Sequence, residues 1–198
     1  MVRELRPIMT LDHLWAGWRG EYIETVASDE GIASHSGPKC VFCRIYAASA
    51  DGTGVSDDET NIVHHGPCTK AILNAYPYTS GHLMVMPSRH VGELEDLTND
   101  EHAELWGMVT AAVRALKVAY SPEGINVGLN LGRASGAGVP GHLHVHVVPR
   151  WNGDTNFMTT TANARVLPEA LSRSRQKLVE AWPRRDGTQS LVNGLPTR

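Results

Sequence analysis

Apolar positions along the chain follow two periodicities, and the switches between them divide it into helices and strands. From Leu11 to Val26, the residues Leu11, Leu14, Trp15, Trp18, Tyr22, Ile23 and Val26 recur at three- and four-residue steps, which predicts an amphipathic packing helix. A polar connection at 28–38 leads into the apolar segment CVFCRIY, and residues 49–60 (SADGTGVSDDET) predict an exposed loop. Short alternating or β-branched runs at 61–65, 69–76 and 82–87, separated by Gly-Pro and Tyr-Thr-Ser-Gly turn signals, predict three strands joined as a meander. Thr98 and Glu101 stand at capping-box spacing, so a second helix runs through Leu105, Trp106, Val109, Ala112, Val113 and Leu116 to near Tyr120. Strands are expected at 125–131 and 142–149, on either side of a Gly-rich loop at 132–141. A third helix is expected from about Pro168, with Leu171, Leu178 and Trp182 on one side, and residues 183–198 should be frayed. Without regular alternation of strand and helix, the order of elements predicts an α+β fold with a mainly antiparallel sheet.

Composition narrows the function classes. The 198 residues suit one domain with terminal extensions, and 41% hydrophobic with 20% charged residues excludes wholesale disorder, collagen-like and coiled-coil architectures. A net charge of -3 gives no general attraction to polyanions, so no nucleic-acid coating is expected and a phosphate-bearing ligand needs a local site. No apolar run approaches the roughly 18 residues of a membrane span, and the start MVRELRPIMTLDHLW lacks the features of a signal peptide. The expectation is a cytoplasmic protein with no membrane partner. Three cysteines are too few for a disulfide framework, so Cys40-x-x-Cys43 reads as a metal clip or redox pair and Cys68, beside Pro67, as a small buried residue.

The ten histidines are the oddity. In an extended segment side chains alternate faces, so His142, His144 and His146 share one surface while Leu143, Val145 and Val147 point into the core. Such a row serves either as a set of metal ligands, with an open position and a bound hydroxide, or as a nucleophilic histidine flanked by helpers. The preceding loop GRASGAGVPG, with four glycines in ten residues, turns backbone N–H groups toward an anion and favours phosphate against an imidazole. His64, His65 and His82 lie near strand ends without partners at ligand spacing and read as structural.

The run His142-Leu-His144-Val-His146-Val-Val148, with Pro149-Arg150 after it, resembles the signature of the histidine triad (HIT) family of nucleotide hydrolases and transferases. The resemblance spans about residues 40–160. Within the family, PRWNGDTNFM, SGHLMVMPSRHVGELEDLT and NVGLNLG look most like the actinobacterial diadenosine tetraphosphate phosphorylase branch. It implies a five-stranded antiparallel sheet with packed helices, and a homodimer or higher homo-oligomer paired across a sheet edge or a helix. It divides the chain into an N-terminal helical extension (1–35), the HIT domain (36–160), and a C-terminal helix with a flexible tail (161–198).

Carried onto this sequence, the resemblance implies that His144 attacks the α-phosphorus of a dinucleoside polyphosphate to form a nucleotidyl-histidine, with no metal needed for that step. His142 would orient His144, and His146 would hold a phosphate oxygen and assist departure of the leaving group. Asn74 would meet ribose, and Asn130 with the backbone of Ser135, Gly136, Ala137 and Gly138 would contact phosphate. Trp151 is a candidate pocket wall, with a purely structural role as its rival. Many members carry Gln or Ser where Gly138 stands, which bears on the choice between orthophosphate and water as acceptor. Phosphorolysis is the reading adopted. Its rivals are hydrolysis of dinucleoside polyphosphates or nucleoside phosphoramidates, and a non-catalytic adenine-nucleotide sensor. In zinc-bearing members a similar Cys-x-x-Cys is completed by histidines at the positions of His90 and His142, which implies a structural zinc on Cys40, Cys43, His90 and His142.

Overall fold

A computed structural model describes residues 40–50, 56–154 and 169–184. The expected helix from Leu11 to Val26, the residue Pro168 and the tail from 185 onward lie outside the described residues. Helix α1 (Val41–Ala50) and the single-turn α2 (Asp57–Thr60) precede strands β1 (Ile62–His65), β2 (Thr69–Leu73) and β3 (Leu83–Pro87). Helix α3 (Asn99–Tyr120) separates these from β4 (Gly124–Leu129) and β5 (Val145–Arg150), and α4 (Leu171–Ala181) follows. All neighbouring strands are antiparallel, in the order β1-β2-β3-β5-β4. The first three strands form the expected meander, and β5 then inserts between β3 and β4. No helix among the described residues is long and apolar enough to cross a membrane.

The sheet has two dressed faces, which follow from strand alternation. Val63, Ala71, Leu73, Leu83, Val85, Val145 and Val147 pack with Leu105, Met108, Val109, Ala112 and Leu116 of α3 and with Leu178 and Trp182 at α4. On the other face Ile72, Met84 and Met86 pack with Cys40, Phe42 and Tyr46 at α1. Because Leu143, Val145 and Val147 belong to the α3 side, the intervening histidines emerge on the α1 side.

Helix α3 starts where its sequence predicts: the Thr98 hydroxyl accepts from the Glu101 N–H, and the Glu101 carboxylate accepts from the Thr98 N–H at 2.9 Å. Other boundaries need correction. The loop expected at 49–60 ends in α2, because Ser56 and Glu59 form a capping box of their own. The apolar CVFCRIY segment, left without an assigned element, runs from Cys40 into helix α1. The strand expected at 69–76 stops at Leu73, where the Asn74 side-chain oxygen accepts the Tyr76 N–H at 2.9 Å and turns the chain toward Pro77. The strand expected at 142–149 begins its ladder only at Val145. Past the end of its partner β3 at Pro87, Leu143 donates to the Val91 carbonyl at 2.7 Å and the Pro87 carbonyl accepts from the His142 ring, in place of ladder bonds. Helix α4 begins at Leu171, later than expected from Pro168.

Cys68 is not simply buried filler. Its N–H and thiol, with the N–H and hydroxyl of Thr69, all donate to the Glu104 carboxylate at 2.6–3.1 Å. Burial, and then this bond to Glu104, push the Cys68 thiol up to about 12, so it stays protonated as a donor. Removing the carboxylate strands two backbone N–H groups at the β1–β2 turn. Glu104→Ala should therefore destabilise the fold by about 2–3 kcal/mol in denaturant titration, and Glu104→Gln by less.

Candidate active site

Three segments bring the histidines together. The chain from 142 to 146 supplies the row itself, the β2–β3 connection brings Asn74, Tyr78 and His82, and the start of α1 brings Phe42 between two imidazoles. The Phe42 ring lies 5.4 Å from both His142 and His144, and His144 lies 4.9 Å from His146 in an edge arrangement. His142 is wholly buried and His144 is 5% exposed, while His146 is half-buried at the mouth.

Hydrogen bonds assign a tautomer to each ring. His144 Nδ1–H donates to the His142 carbonyl at 2.8 Å, which leaves its Nε2 as a lone pair. His142 Nε2–H donates to the Pro87 carbonyl at 2.9 Å, which leaves its Nδ1 as the lone pair. His82, read from sequence as structural, is fully buried and belongs to the site. Its Nδ1 accepts the Tyr78 N–H at 3.1 Å, so its Nε2 carries the proton and donates to His146 Nδ1 at 2.9 Å. His146 consequently holds its own proton on Nε2. Neighbouring imidazoles thus carry opposite capacities, a lone pair on His144 Nε2 and an N–H on His146 Nε2. No local sequence signal marked His82; in the fold it follows Gly81, which has φ +83° and leaves no space for a Cβ beneath the Tyr120 ring.

His64 and His65, also read as structural, make their contacts elsewhere. His64 stacks on Trp182 with centroids 4.9 Å apart, and His65 meets Asp57 at 3.0 Å.

The Gly-rich loop runs from β4 to the triad. Asn130 is half-buried just after β4, Ala137 is buried and Gly138 half-buried. Gly136, at φ +82°, ends the short turn Arg133–Ser135 in the left-handed region that glycine tolerates. The Ser135 hydroxyl donates to the Gly132 carbonyl at 2.7 Å and is therefore engaged within the loop. Asn74 is engaged as well, through the Tyr76 N–H and a 3.5 Å contact with His82 Nδ1. Trp151 stands half-buried just beyond β5, edge-on to Tyr120 at 6.3 Å.

Cys40, Cys43, His90 and His142 converge on the inner side of the row, with one ligand atom from each lying within 4.8 Å of the others. The S···N separations are 3.5 Å from Cys40 to His142 Nδ1, 3.7 Å from Cys43 to His142 Nδ1 and 3.2 Å from Cys43 to His90 Nδ1. A tetrahedral zinc, with bonds of about 2.3 Å to sulfur and about 2.05 Å to nitrogen, separates such ligands by about 3.5 Å. The donor set therefore fits a four-coordinate zinc, and the His142 bond to Pro87 supplies the outer partner that fixes a ligating imidazole. The same geometry separates the triad: the His142 lone pair faces the cysteines, away from any cation that His144 and His146 would share. Arg89 holds the neighbouring segment through Glu101, at 2.9 and 2.8 Å, and the Asp96 carbonyl at 2.8 Å.

A family profile described as HIT domain matches residues 56–153. The chain is 42% identical to AP-4-A phosphorylase of Mycobacterium tuberculosis over 174 residues, 88% of this chain and 86% of the relative. Among solved structures it is similar to a zinc-bound histidine triad family protein from Mycobacterium smegmatis, at 29% identity and TM-score 0.55 over 71% of this chain and 90% of that one. It is also similar to a histidine triad nucleotide-binding protein from Sulfolobus tokodaii, at 29% identity and TM-score 0.53 over 70% and 91% of the two chains.

Burial lowers the pKa of all three triad histidines, that of His146 to about 4, where proximity to His144 adds to the effect. An unfolded histidine takes its proton near 6.5. The cost of keeping these rings neutral is therefore absent above that pH and grows as pH falls toward 4. Thermal stability should decline across this window, and NMR titration should find His146 neutral at pH 5.5, where a free histidine is largely charged.

Proposed function

Because the chain belongs to the histidine triad family, we propose that it transfers a nucleotidyl group from a dinucleoside polyphosphate through His144, with orthophosphate as the acceptor. The observation that carries this reading is the pairing of a lone pair on His144 Nε2 with a proton on His146 Nε2, each set by a hydrogen bond at the far side of its ring.

In the first step the His144 lone pair attacks the α-phosphorus. A P–N bond forms, the P–O bond to the departing nucleotide breaks, and the His146 N–H hydrogen-bonds the oxygen on which charge develops. The attacking imidazole becomes cationic when it takes the phosphoryl group, and the His142 carbonyl, already bonded to its Nδ1–H, stabilises that charge. In the second step an orthophosphate oxygen attacks the same phosphorus, the P–N bond breaks and His144 is restored. Diadenosine tetraphosphate and orthophosphate then yield ADP and ATP.

Asn74 is the proposed ribose contact. Asn130 and the backbone from Ser135 to Gly138 are the proposed phosphate contacts, and Trp151 the proposed wall. The likeness to the M. tuberculosis phosphorylase along most of the chain supports orthophosphate as acceptor. The exposed Arg133 beside the loop offers charge for a second anion. Product analysis tests the acceptor: ADP with ATP is expected when phosphate is present, whereas AMP with ATP regardless of phosphate would identify water. His144→Ala should lower turnover on the order of 10³-fold or more while nucleotide binding persists, and acid quench of the wild type should trap a nucleotidyl adduct. Binding with no adduct would identify a sensor.

We also propose that Cys40, Cys43, His90 and His142 hold a structural zinc. A closed four-ligand site supplies rigidity and has no open position for activating water. Burial and the neighbouring Cys40 push the Cys43 thiol up to about 11, so binding zinc there releases its proton. Metal analysis should find about one zinc per chain, lost in Cys43→Ser and His90→Ala, and chelation should lower the melting temperature before it lowers activity. A cytoplasmic location and a homodimer or larger assembly complete the proposal. The edge strand β4, with Val127 exposed, supports the assembly.

A further inference from the structure

The connection between β2 and β3 carries a feature that the chemistry above leaves unused. Tyr76 is 88% exposed and Tyr78 is 43% exposed, one on each side of Pro77. A single exposed tyrosine requires no explanation. Two within three residues, on a loop that enters the site, do.

The loop is anchored at several points. Tyr76 N–H donates to the Asn74 side chain, Tyr78 N–H to His82 Nδ1, the Thr79 hydroxyl to the Pro149 carbonyl at 2.9 Å, and Asn74 N–H to the His82 carbonyl at 2.9 Å. The tyrosines are therefore presented by a held backbone, at little ordering cost when something stacks on them. Their position is specific. The Tyr78 ring lies 4.7 Å from His82 and 6.2 Å from His146, at 25° to the His146 plane. The aromatic surface thus begins at the imidazole assigned to the leaving group, on the opposite side of His144 from the His142 cluster.

We propose that Tyr76 and Tyr78 form a stacking platform for the departing half of the substrate, with the second nucleoside base resting on Tyr76. This rests on the dinucleoside polyphosphate reading and adds a basis for preferring two nucleosides over one. Tyr78 walls the polyphosphate beyond His146, and Tyr76, across Pro77 and 88% exposed, meets the base that this chain carries outward. Stacking tolerates any base, because every base has a π face, so the platform selects for the presence of a second nucleoside more than for its identity.

The test compares diadenosine tetraphosphate with adenosine 5′-tetraphosphate, which keeps the phosphate chain and lacks the second nucleoside. Wild type should favour the dinucleoside by about tenfold or more in kcat/KM. Tyr76→Ala should reduce that preference by about tenfold, chiefly through KM, Tyr78→Ala should also reduce it, and Tyr76→Trp should preserve it. Because Tyr78 also touches His82 and His146, its truncation is read only through the ratio of the two substrates. An unchanged ratio in Tyr76→Ala, or equal losses on both substrates, overturns the platform and leaves the nucleotidyl-transfer reading standing. Wild type that forms no adduct with either substrate overturns that reading, and the platform with it.

Discussion

The His142 carbonyl is the pivot of the site, because it accepts the Nδ1 proton of His144 and so decides which nitrogen of the buried ring faces outward. A neutral imidazole can protonate either nitrogen, and with no fixed acceptor the two tautomers would compete. A backbone acceptor is a firm choice here. The His142 ring is tied to the Pro87 carbonyl, and the next residue, Leu143, donates its N–H to Val91. The carbonyl cannot rotate away without breaking bonds on both sides. One residue thus faces two environments, its ring among the cysteines and its carbonyl against His144.

The same strand obtains two chemical capacities from one residue type. His144 keeps its proton on Nδ1, where it donates to the His142 carbonyl, while His146 accepts on Nδ1 from His82 and is protonated on Nε2. The difference originates in the Tyr78 N–H, which occupies His82 Nδ1 and sends that ring's proton to the other nitrogen. Burial keeps the rings neutral, so these assignments persist at ordinary pH instead of collapsing into doubly protonated imidazolium.

Alternation and capping were legible in the sequence. The histidines lie on one face and Leu143, Val145 and Val147 on the other, and Thr98 with Glu101 starts α3, because these signals are local. Four convergent zinc-type donors came from the resemblance and reappear in the geometry. The misses were non-local. CVFCRIY carried no assignment, because it is apolar enough for either a strand or a helix until packing against the sheet decides. Before the late start of β5, Leu143 and the His142 ring bond to the carbonyls of Val91 and Pro87, both distant in sequence. His82 reads as an ordinary strand-end histidine until the fold places it 2.9 Å from His146, across 64 residues of sequence.

Helix α3 lies on the opposite face from the triad, yet it fixes three of the segments that build the site. Near its start, Glu101 holds Arg89, the residue before His90. One turn later Glu104 gathers Cys68 and Thr69 where β2 begins, and β2 leads to Asn74 and the tyrosine loop. At its end, the Tyr120 ring covers Gly81 just ahead of His82, while its hydroxyl donates to Glu169 at 2.7 Å and ties in α4. Ser174 and Lys177 bond the same carboxylate, so the C-terminal helix is fastened to the end of α3 that supports His82. A rotation of α3 would shift all of these points together. The tautomer chain that begins at the Tyr78 N–H therefore depends on a helix packed on the far face of the sheet, and the rigidity demanded by two opposed imidazoles is met by packing across the sheet.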